Sequence, residues 1–268
     1  YTFVRGDICN QKLVDNIAKN CDIIINFAAE THVDKSISNP ESFIKTDIVG
    51  TSILLEAARK FNTKKFIQIS TDEVYGSIEK GSFKEEDCLN PNSPYASSKA
   101  AADLMVKAYW KTFNVSAIIT RTTNNFGPFQ HPEKLVPLFI TNLLESKKVP
   151  LYGKGQNVRD WIFVRDNCEA IYLLLKKGQI GEIYNIAGNN EKRNIEITQF
   201  ILKYLKKDKS FIEHVKDRPC HDFRYSLDTT KIRKLGWKPK HRFEDSMKKT
   251  IEWYKRNKVW WQKKKNED

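Results

Sequence analysis

The chain of 268 residues contains little histidine, no closely spaced cysteines and no long hydrophobic run. No apolar stretch approaches the roughly 18 residues that a membrane-spanning helix needs, so we expect no membrane association. The five cysteines lie far apart and form no CxxC pair, which argues against zinc ribbons and disulfide scaffolds and favours a reducing, cytoplasmic compartment. His131, His214 and His241 have no neighbours at metal-ligand spacing, so we predict no metal site.

Positive charge is in excess, with 46 Lys and Arg against 33 Asp and Glu and a net charge of +13. Most of it lies after Ile201, where 21 basic residues face 10 acidic ones. Such a region can bind nucleic acid, form a solvated surface or attract a small anionic substrate. Because acidic residues are interspersed and no nucleic-acid-binding motif accompanies the lysines, we expect no nucleic-acid partner.

Short apolar runs alternate with stretches of helical periodicity, a pattern typical of β-α units around a parallel sheet. We predict strands at residues 21–29, 65–70, 115–120, 160–164 and 181–186. We predict helices at residues 43–60, 95–113, 167–177, 195–206 and 246–261. A segment containing Pro and Gly at residues 127–155 interrupts the rhythm. The sequence therefore predicts an α/β fold with a doubly wound, mainly parallel sheet of the Rossmann type and a smaller C-terminal domain.

A doubly wound dinucleotide-binding fold begins with a strand, a glycine-rich turn and a helix whose N-terminus receives the pyrophosphate. The sequence contains no GxGxxG or GxxGxxG, and Tyr1–Val4 runs directly into Arg5–Ile8. We therefore expect the first βαβ unit to be missing from this chain. We also expect the chain alone to be weakly folded and to bind a dinucleotide poorly.

Tyr95 and Lys99 form a YxxxK pattern at the start of a predicted helix. A spacing of four residues places both side chains on one helix face, and an ammonium beside a phenol favours the phenolate. Such a tyrosine can act as a base near neutral pH. Because the same spacing also fits an ordinary surface pair, the pattern gains weight only in combination with other motifs.

Two adjacent carboxylates, Asp72 and Glu73, come one residue after the strand predicted at residues 65–70. In α/β sheets, ligand sites lie at the carboxyl ends of the strands. Neighbouring carboxylates repel each other, which raises the pKa of one and lets the pair divide acid and base roles. In isolation the segment also fits an exposed turn or a helix N-cap. Its combination with the YxxxK pattern favours catalysis.

Five segments together resemble the extended short-chain dehydrogenase/reductases. They are Asn26–Ser36, Ser70–Gly76, Pro94–Lys99, Asn124–Pro128 and the pair Asp160-Trp161. Within those enzymes, the triplet Thr71-Asp72-Glu73 is similar to that of the dTDP-glucose or UDP-glucose 4,6-dehydratases. Related epimerases and decarboxylases typically lack the Asp-Glu pair. The resemblance extends from Arg5 to about Trp253.

The resemblance implies an NAD-binding domain at residues 1–127 and about 160–188, and a nucleotide-sugar-binding domain at about 128–159 and 189–268. The implied NAD contacts are Asp7, Ile8, Phe27, Ala28, Ala29, Glu30, Thr31, Thr46, Tyr95, Lys99 and Asn125. The implied contacts of the substrate, dTDP-glucose or UDP-glucose, are Thr31, Thr71, Asn124, Lys134, Leu135, Pro150, Leu151, Tyr152, Arg159, Asn194, Asp217, Arg218, Pro219, Cys220 and His221.

The resemblance also implies a reaction and its catalytic residues, which are Thr71, Asp72, Glu73, Tyr95 and Lys99. Tyr95 would accept the proton of the sugar 4-hydroxyl while a hydride passes from C4 to NAD. Glu73 would then remove the C5 proton, and Asp72 would protonate the departing 6-hydroxyl. Return of the hydride to C6 would yield the 4-keto-6-deoxy sugar nucleotide and regenerate NAD.

Other functions stay open at this point. The chain could be a nucleotide-sugar 4-epimerase, which the Asp-Glu pair disfavours, a catalytically dead nucleotide-sugar-binding protein, or a basic nucleic-acid-binding variant. Two positions depart from the family pattern: Asp47 stands where relatives usually have Asn, and Cys220 where they usually have Gly. Relatives are often dimers, and the helices predicted at residues 43–60 and 95–113 would supply a homodimer contact.

Overall fold

The computed structural model describes residues 1–219 and 221–267, so Cys220, an expected substrate contact, lies outside the described residues. The strands are β1 Ile23–Asn26, β2 Lys65–Thr71, β3 Ala117–Thr122, β4 Asn124–Phe126, β5 Val149–Tyr152, β6 Val158–Phe163, β7 Ile183–Ile186, β8 Glu191–Arg193 and β9 Ile212–Val215. The α-helices are α1 Gln11–Ala18, α2 Val33–Ser38, α3 Pro40–Phe43, α4 Thr51–Lys60, α5 Pro94–Phe113, α6 Leu135–Leu144, α7 Val164–Lys177, α8 Asn194–Tyr204, α9 Thr230–Lys234, α10 Phe243–Arg256 and α11 Lys258–Lys265. A π-helical segment, Ile44–Gly50, joins α3 to α4, and a 3-10 turn, Asp72–Tyr75, follows β2.

The main sheet has four parallel strands in the order β1-β2-β3-β7. Ile67 of β2 is in register with Ile25 of β1 and with Ile118 of β3. These strands are short, β-branched runs of the kind that parallel sheets bury on both faces. The predicted α/β fold with a mainly parallel sheet is therefore confirmed.

Two smaller sheets are formed by the other described strands. In the first, β4 pairs with β6 in parallel and β6 pairs with β8 in antiparallel fashion; in the second, β5 pairs with β9 in parallel. Only Thr123 separates β3 from β4. Asn124 and Asn125 on β4 therefore stand where the chain passes from the main sheet to the first of the smaller sheets.

The buried apolar residues form separate clusters. One cluster packs against the main sheet and includes Ile67 and Leu174. Another joins α6, α8 and α10 and includes Phe139, Ile201 and Met247. The clusters do not follow the expected domain boundaries residue by residue, since Trp237 belongs to the first cluster and Trp161 to the second. The boundaries stay a prediction.

Most predicted elements have a counterpart within a few residues, and three of the differences are the following. The helix predicted at residues 246–261 is two helices, α10 and α11, because Asn257 between them has non-helical dihedrals (φ −111°, ψ 42°). The helix predicted at 43–60 contains the π-helical segment. The region 127–155, expected to be irregular, contains α6 and β5. Helix α6 is apolar over most of its length, so it shows little of the alternation by which a half-exposed helix is recognised.

At one side of the main sheet, β1 pairs with β2 and with no other described strand. Phe27, directly after β1, is 60% exposed, and residues 1–10 form neither helix nor strand. Within the described ranges, no helix has both the length and the apolar character needed to cross a membrane.

A buried ion pair fixes the turn that follows β2. The Arg121 guanidinium on β3 donates from Nε to Asp103 Oδ2 on α5 (2.9 Å) and from Nη1 to the Tyr75 hydroxyl (2.7 Å). That hydroxyl in turn donates to Asn185 Oδ1 on β7 (3.0 Å). Arg121 and Asp103 are fully buried, and a buried charge is tolerated only when it is paired and hydrogen-bonded. The 3-10 turn is thereby tied to β3, α5 and β7.

We expect Arg121→Met to lower the free energy of unfolding by about 3 kcal/mol, because it leaves the Asp103 carboxyl buried without a cation. The matched control is Lys255→Met, which breaks the partly exposed Lys255–Glu252 pair (2.7 Å) and should change stability by less than about 0.5 kcal/mol. Urea denaturation followed by circular dichroism measures both. Equal losses in the two variants would contradict a structural role for the buried pair.

Candidate active site

The two sequence motifs meet at the carboxyl end of β2. This strand ends at Thr71, and Asp72 and Glu73 open the 3-10 turn behind it. Helix α5 starts nearby with Pro94 in its first turn, a position that suits the fixed φ of proline, and the Ser93 hydroxyl accepts the Ala96 N–H as N-cap. The first two turns of α5 then carry the YxxxK pattern on their buried face.

Asp72 and Glu73 are adjacent in sequence but differ in environment. Asp72 is buried; its Oδ1 accepts the Thr71 hydroxyl (3.2 Å), while its Oδ2 makes no hydrogen bond to a described residue. Burial, and next the charge of Glu73, raise the pKa of Asp72 well above its usual range. Burial also raises the pKa of Glu73, but the positive charge of Arg159 opposes this. The pair is therefore suited to hold one protonated and one ionised carboxyl group.

Tyr95 and Lys99 are both buried. The Lys99 ammonium donates to the Ile69 carbonyl oxygen on β2 (2.8 Å), and burial lowers its pKa. Burial and the charge of Glu73 raise the pKa of Tyr95 well above its usual range. The expectation that Lys99 favours the Tyr95 phenolate stays a prediction; in the structure the Lys99 ammonium is hydrogen-bonded to a strand carbonyl oxygen.

A cleft of about 290 Å³ opens beside the Asp-Glu pair. Fourteen of the residues expected from the sequence line it, and they come from segments far apart in the chain. They are Thr31, Glu73, Asn124, Asn125, Lys134, Leu135, Pro150, Leu151, Tyr152, Arg159, Asn194, Arg218, Pro219 and His221.

Arg218 is held in the cleft by a forked ion pair. Its Nε lies 2.7 Å from Asp34 Oδ1 and its Nη2 donates to Asp34 Oδ2 at 2.8 Å, while the guanidinium lies over the Tyr152 ring, 4.7 Å from its centroid. The Tyr152 hydroxyl also donates to Asp34 Oδ2 (3.1 Å). A guanidinium held in this way presents its free edge in a fixed orientation, which suits it to a planar or phosphate ligand.

Two further cations line the same cleft. Arg159 donates from Nη2 to the Asp222 carbonyl oxygen (2.9 Å) and lies 4.2 Å from the centroid of the Tyr225 ring. The Lys134 ammonium donates to the Thr31 carbonyl oxygen (2.6 Å). Three cations around one cleft provide the charge that two adjacent phosphates require.

Several buried amide oxygens in the cleft make no hydrogen bond to a described residue. They are Oδ1 of Asn124, Asn125 and Asn194, and Oε1 of Gln130. A buried polar atom without a partner is unusual in a folded protein, so these oxygens are candidates to accept hydrogen bonds from a ligand rich in hydroxyl groups.

Some cleft residues were not expected from the sequence. They are Asp34, Gln130, Glu133, Asp222 and Tyr225. Asp34 lies within the segment Asn26–Ser36 that carries part of the resemblance, but its partner Arg218 is 184 residues away. A contact between positions so distant leaves no local pattern in a single sequence.

Other expected residues lie outside the cleft lining. Four of them lie on β2, on the 3-10 turn after it and on α5: Thr71, Asp72, Tyr95 and Lys99. A fifth, Asp217, contacts the cleft residue His221, with 2.6 Å between Asp217 Oδ1 and His221 Nδ1. The expected NAD contacts follow β1, precede α1 or lie in the π-helical segment: Asp7, Ile8, Phe27, Ala28, Ala29, Glu30 and Thr46. Asp7 accepts the Cys9 N–H (2.8 Å), which lowers the pKa of Asp7. The roles of all these residues stay predictions.

Residues 1–250 match the family model described as GDP-mannose 4,6 dehydratase. The dTDP-glucose 4,6-dehydratase of Streptomyces niveus is 51% identical over 269 residues, which cover 100% of this chain and 80% of the relative. DesIV, a dTDP-glucose 4,6-dehydratase from Streptomyces venezuelae crystallised with NAD and dTDP bound, has a TM-score of 0.96 at 47% identity and is similar over 98% of this chain and 82% of its own.

More distant neighbours catalyse other reactions. The UDP-glucuronic acid 4-epimerase of Bacillus cereus, in complex with UDP-glucuronic acid and NAD, has a TM-score of 0.90 but only 27% identity, over 95% of this chain and 82% of its own. The fold is thus shared with epimerases, while the sequence is nearer to the dehydratases. The chain belongs to the GDP-mannose 4,6-dehydratase family, as a member of the dTDP-glucose 4,6-dehydratase type.

Proposed function

We propose that this chain is the catalytic chain of an NAD-dependent hydro-lyase that converts dTDP-glucose into dTDP-4-keto-6-deoxyglucose. The observation that carries the proposal is the Asp72-Glu73 pair beside the cleft, with a buried, protonation-prone Asp72 and a Glu73 that faces Arg159. Elimination of water requires one group that gives a proton and another that takes one. The pair supplies both from adjacent positions.

The proton transfers follow from the residue types. Tyr95 takes the proton of the sugar 4-hydroxyl as C4 becomes a ketone. That ketone acidifies the C5 proton, which Glu73 removes, and Asp72 gives its proton to the 6-hydroxyl, which leaves as water. Glu73 then returns a proton to C5. NAD, when bound, supplies the chemistry of hydride removal from C4 and hydride return to C6.

The residues expected to hold NAD fit that group at its nicotinamide end. The Lys99 ammonium has three N–H donors, and the described contacts include a single acceptor, the Ile69 carbonyl oxygen. Its other donors are suited to ribose hydroxyls. The Asn125 Oδ1 also lacks a partner among described residues and can accept a hydrogen bond from an amide. Asp7 and Ile8 would hold the adenine end, and the segment Phe27–Thr31, with Thr46, would line the group between its two ends.

The cleft residues would hold the sugar nucleotide. Arg159, Arg218 and Lys134 would bind the diphosphate, and Asn124, Thr31 and Thr71 would contact the sugar. The remaining expected substrate contacts would surround the nucleoside: Leu135, Pro150, Leu151, Tyr152, Asn194, Asp217, Pro219, Cys220 and His221. The relatives favour thymine over uracil as the base, since the Streptomyces niveus enzyme and DesIV are both named for dTDP-glucose.

Two alternative functions are less well supported. A 4-epimerase needs the tyrosine and lysine but no acid-base pair for loss of water, so it leaves Asp72 and Glu73 without a role. A catalytically dead binding protein has no need for a buried Asp72 beside Tyr95, a costly arrangement that binding alone does not require.

We expect the protein, supplied with NAD and dTDP-glucose in deuterated water, to yield the 4-keto-6-deoxy product with one deuteron at C5. Glu73→Gln should block deuteron entry at C5, and Asp72→Asn should slow loss of the 6-hydroxyl, each by about a hundredfold or more, because both keep the shape and remove the proton transfer. NMR of the product follows both events.

Formation of the 4-epimer by the wild-type protein would contradict the dehydratase function. Rates within threefold of wild type for both variants would remove the Asp-Glu pair from the mechanism while leaving the overall reaction intact.

We expect Arg218→Met to raise KM for dTDP-glucose about 10- to 100-fold with little change in kcat, because a charge-assisted hydrogen bond to phosphate is lost away from the reacting carbons. The matched control is Arg224→Met, since Arg224 pairs with Glu191 (2.6 Å) outside the cleft. Steady-state kinetics measure both. An unchanged KM in Arg218→Met would exclude Arg218 from substrate binding.

We also propose a cytoplasmic homodimer. The four described cysteines are free, as in a reducing compartment. Helix α5 exposes Leu104 (55%) and Ala108, and Val49 is exposed in the π-helical segment packed beside it. These side chains would form the contact between two copies.

We expect Leu104→Glu to convert the dimer into a monomer, because it places a charge at the centre of the apolar contact. Sedimentation equilibrium measures the change, with Val259→Glu on α11 as the control, since Val259 is 83% exposed and lies on another helix. A wild-type protein that is monomeric at micromolar concentration would contradict the homodimer.

A further inference from the structure

One buried carboxylate near the site has no part in the mechanism above. Asp47 is 1% exposed and lies in the middle of the π-helical segment Ile44–Gly50. Segments of π-helix are rare and occur frequently at functional sites, because they place one side chain where a regular helix would not. Asp47 accepts two hydrogen bonds, one from the loop behind β1 and one from the Tyr95–Lys99 turn.

The Asp47 carboxylate connects three segments. Its Oδ1 accepts the backbone N–H of Glu30, behind β1 (2.9 Å), and its Oδ2 accepts the hydroxyl of Ser98 on α5 (2.6 Å). The Ser98 hydroxyl is also within 2.8 Å of the Tyr95 carbonyl oxygen. Ser98 precedes Lys99 directly, so Asp47 is anchored inside the single helical turn that carries both catalytic candidates.

Asp47 and Lys99 also compensate each other's charge. Burial raises the pKa of Asp47, while its hydrogen bond to Ser98 and the charge of Lys99 oppose this. Burial lowers the pKa of Lys99, while the charges of Asp47 and Asp103 oppose that. Two opposite charges that share a buried site each make the ionised form of the other less costly.

We propose that Asp47 is a positioning residue of the active site, an anion that keeps Lys99 as the ammonium and fixes the Tyr95–Lys99 turn against the loop behind β1. The proposal rests on the function proposed above. Asp47 acts through its charge as well as through its hydrogen bonds. Its negative charge sets the pH range in which Tyr95 and Lys99 hold the protons that the reaction needs.

The charges that face these groups come from several elements. Tyr95 faces Glu73 and Asp72 of the 3-10 turn and Asp47 of the π-helical segment. Lys99 faces Asp47 and Asp103 of its own helix, and Asp47 itself faces Glu30 behind β1. Asp47 is the carboxylate common to the surroundings of Tyr95 and Lys99. A change there should therefore act on both groups at once.

The sign of that effect is fixed by electrostatics. A nearby anion opposes loss of a proton, so it raises the pKa of Tyr95 and that of Lys99 alike. Removal of the anion lowers both values. The acid limb of the pH-rate profile, where Tyr95 must lose its proton, and the basic limb, where Lys99 must keep its proton, should move in the same direction.

The test variant is Asp47→Asn, which keeps the shape, can accept the Glu30 N–H and can donate to the Ser98 hydroxyl oxygen. We expect both limbs of the pH profile for dehydration of dTDP-glucose to move to lower pH by about one unit. Ser98→Ala is the comparison variant: it loses the hydroxyl contact but keeps the Asp47 carboxyl group, so its profile should move less than that of Asp47→Asn. If Asp47→Asn does not fold, Asp47→Ser is a smaller neutral variant with the same expected shift.

A second readout needs neither substrate nor NAD. In protein labelled with carbon-13 lysine, NMR follows the titration of Lys99, whose signal is assigned by its absence in Lys99→Met. The Lys99 midpoint should fall in Asp47→Asn and move less in Ser98→Ala. Profiles and midpoints that coincide with wild type in both neutral variants would overturn the proposal.

The outcomes separate this proposal from the function on which it rests. If the wild-type protein forms no 4-keto-6-deoxy product, the proposed function fails, and the Lys99 titration alone decides the role of Asp47. If the wild-type protein is active and Asp47→Asn only lowers the rate without a shift, the residue is a structural support and the electrostatic role is wrong.

Discussion

The buried ion pair between Arg121 and Asp103 is the constraint on which the site depends. Parallel strands bring polar side chains to one edge of the sheet, but two adjacent carboxylates at that edge repel each other and need a rigid support. Arg121 provides it by binding Asp103 on α5 and the Tyr75 hydroxyl in the turn. The same interaction therefore sets the position of the Asp-Glu pair relative to the helix that carries Tyr95.

Burial then gives each group of the site a different tendency to ionise. Asp72 is pushed toward its protonated form, Glu73 is drawn toward ionisation by Arg159, and Lys99 is kept beside Asp47. Burial and the charge of Glu73 raise the pKa of Tyr95. The four groups therefore differ in their tendency to hold a proton, which acid-base catalysis requires.

Much of the fold and of the candidate site could be predicted from the sequence, because the motifs are local. The strand before Thr71, the Asp72-Glu73 turn and the Tyr95–Lys99 helix start each occupy a few consecutive residues, and hydrophobic periodicity gave the parallel sheet. Three features could not be predicted from the sequence: the pairing of Arg218 with Asp34, the hydrogen bond of the Lys99 ammonium to the Ile69 carbonyl, and the position of Asp47 in a π-helical segment. They depend on tertiary distances and backbone geometry, which no short pattern encodes. Helix α6 was missed because its apolar residues leave little polar face to mark the period.

The most direct test of the central claim follows the hydrogen at C4. The protein is supplied with NAD and dTDP-glucose deuterated at C4, mixed with undeuterated substrate that carries carbon-13 in the sugar. The dehydratase mechanism predicts that deuterium appears at C6 of the product and stays in the molecule from which it came, so no product carries both labels. Deuterium that remains at C4 in an inverted sugar, or that is lost to solvent, would contradict it.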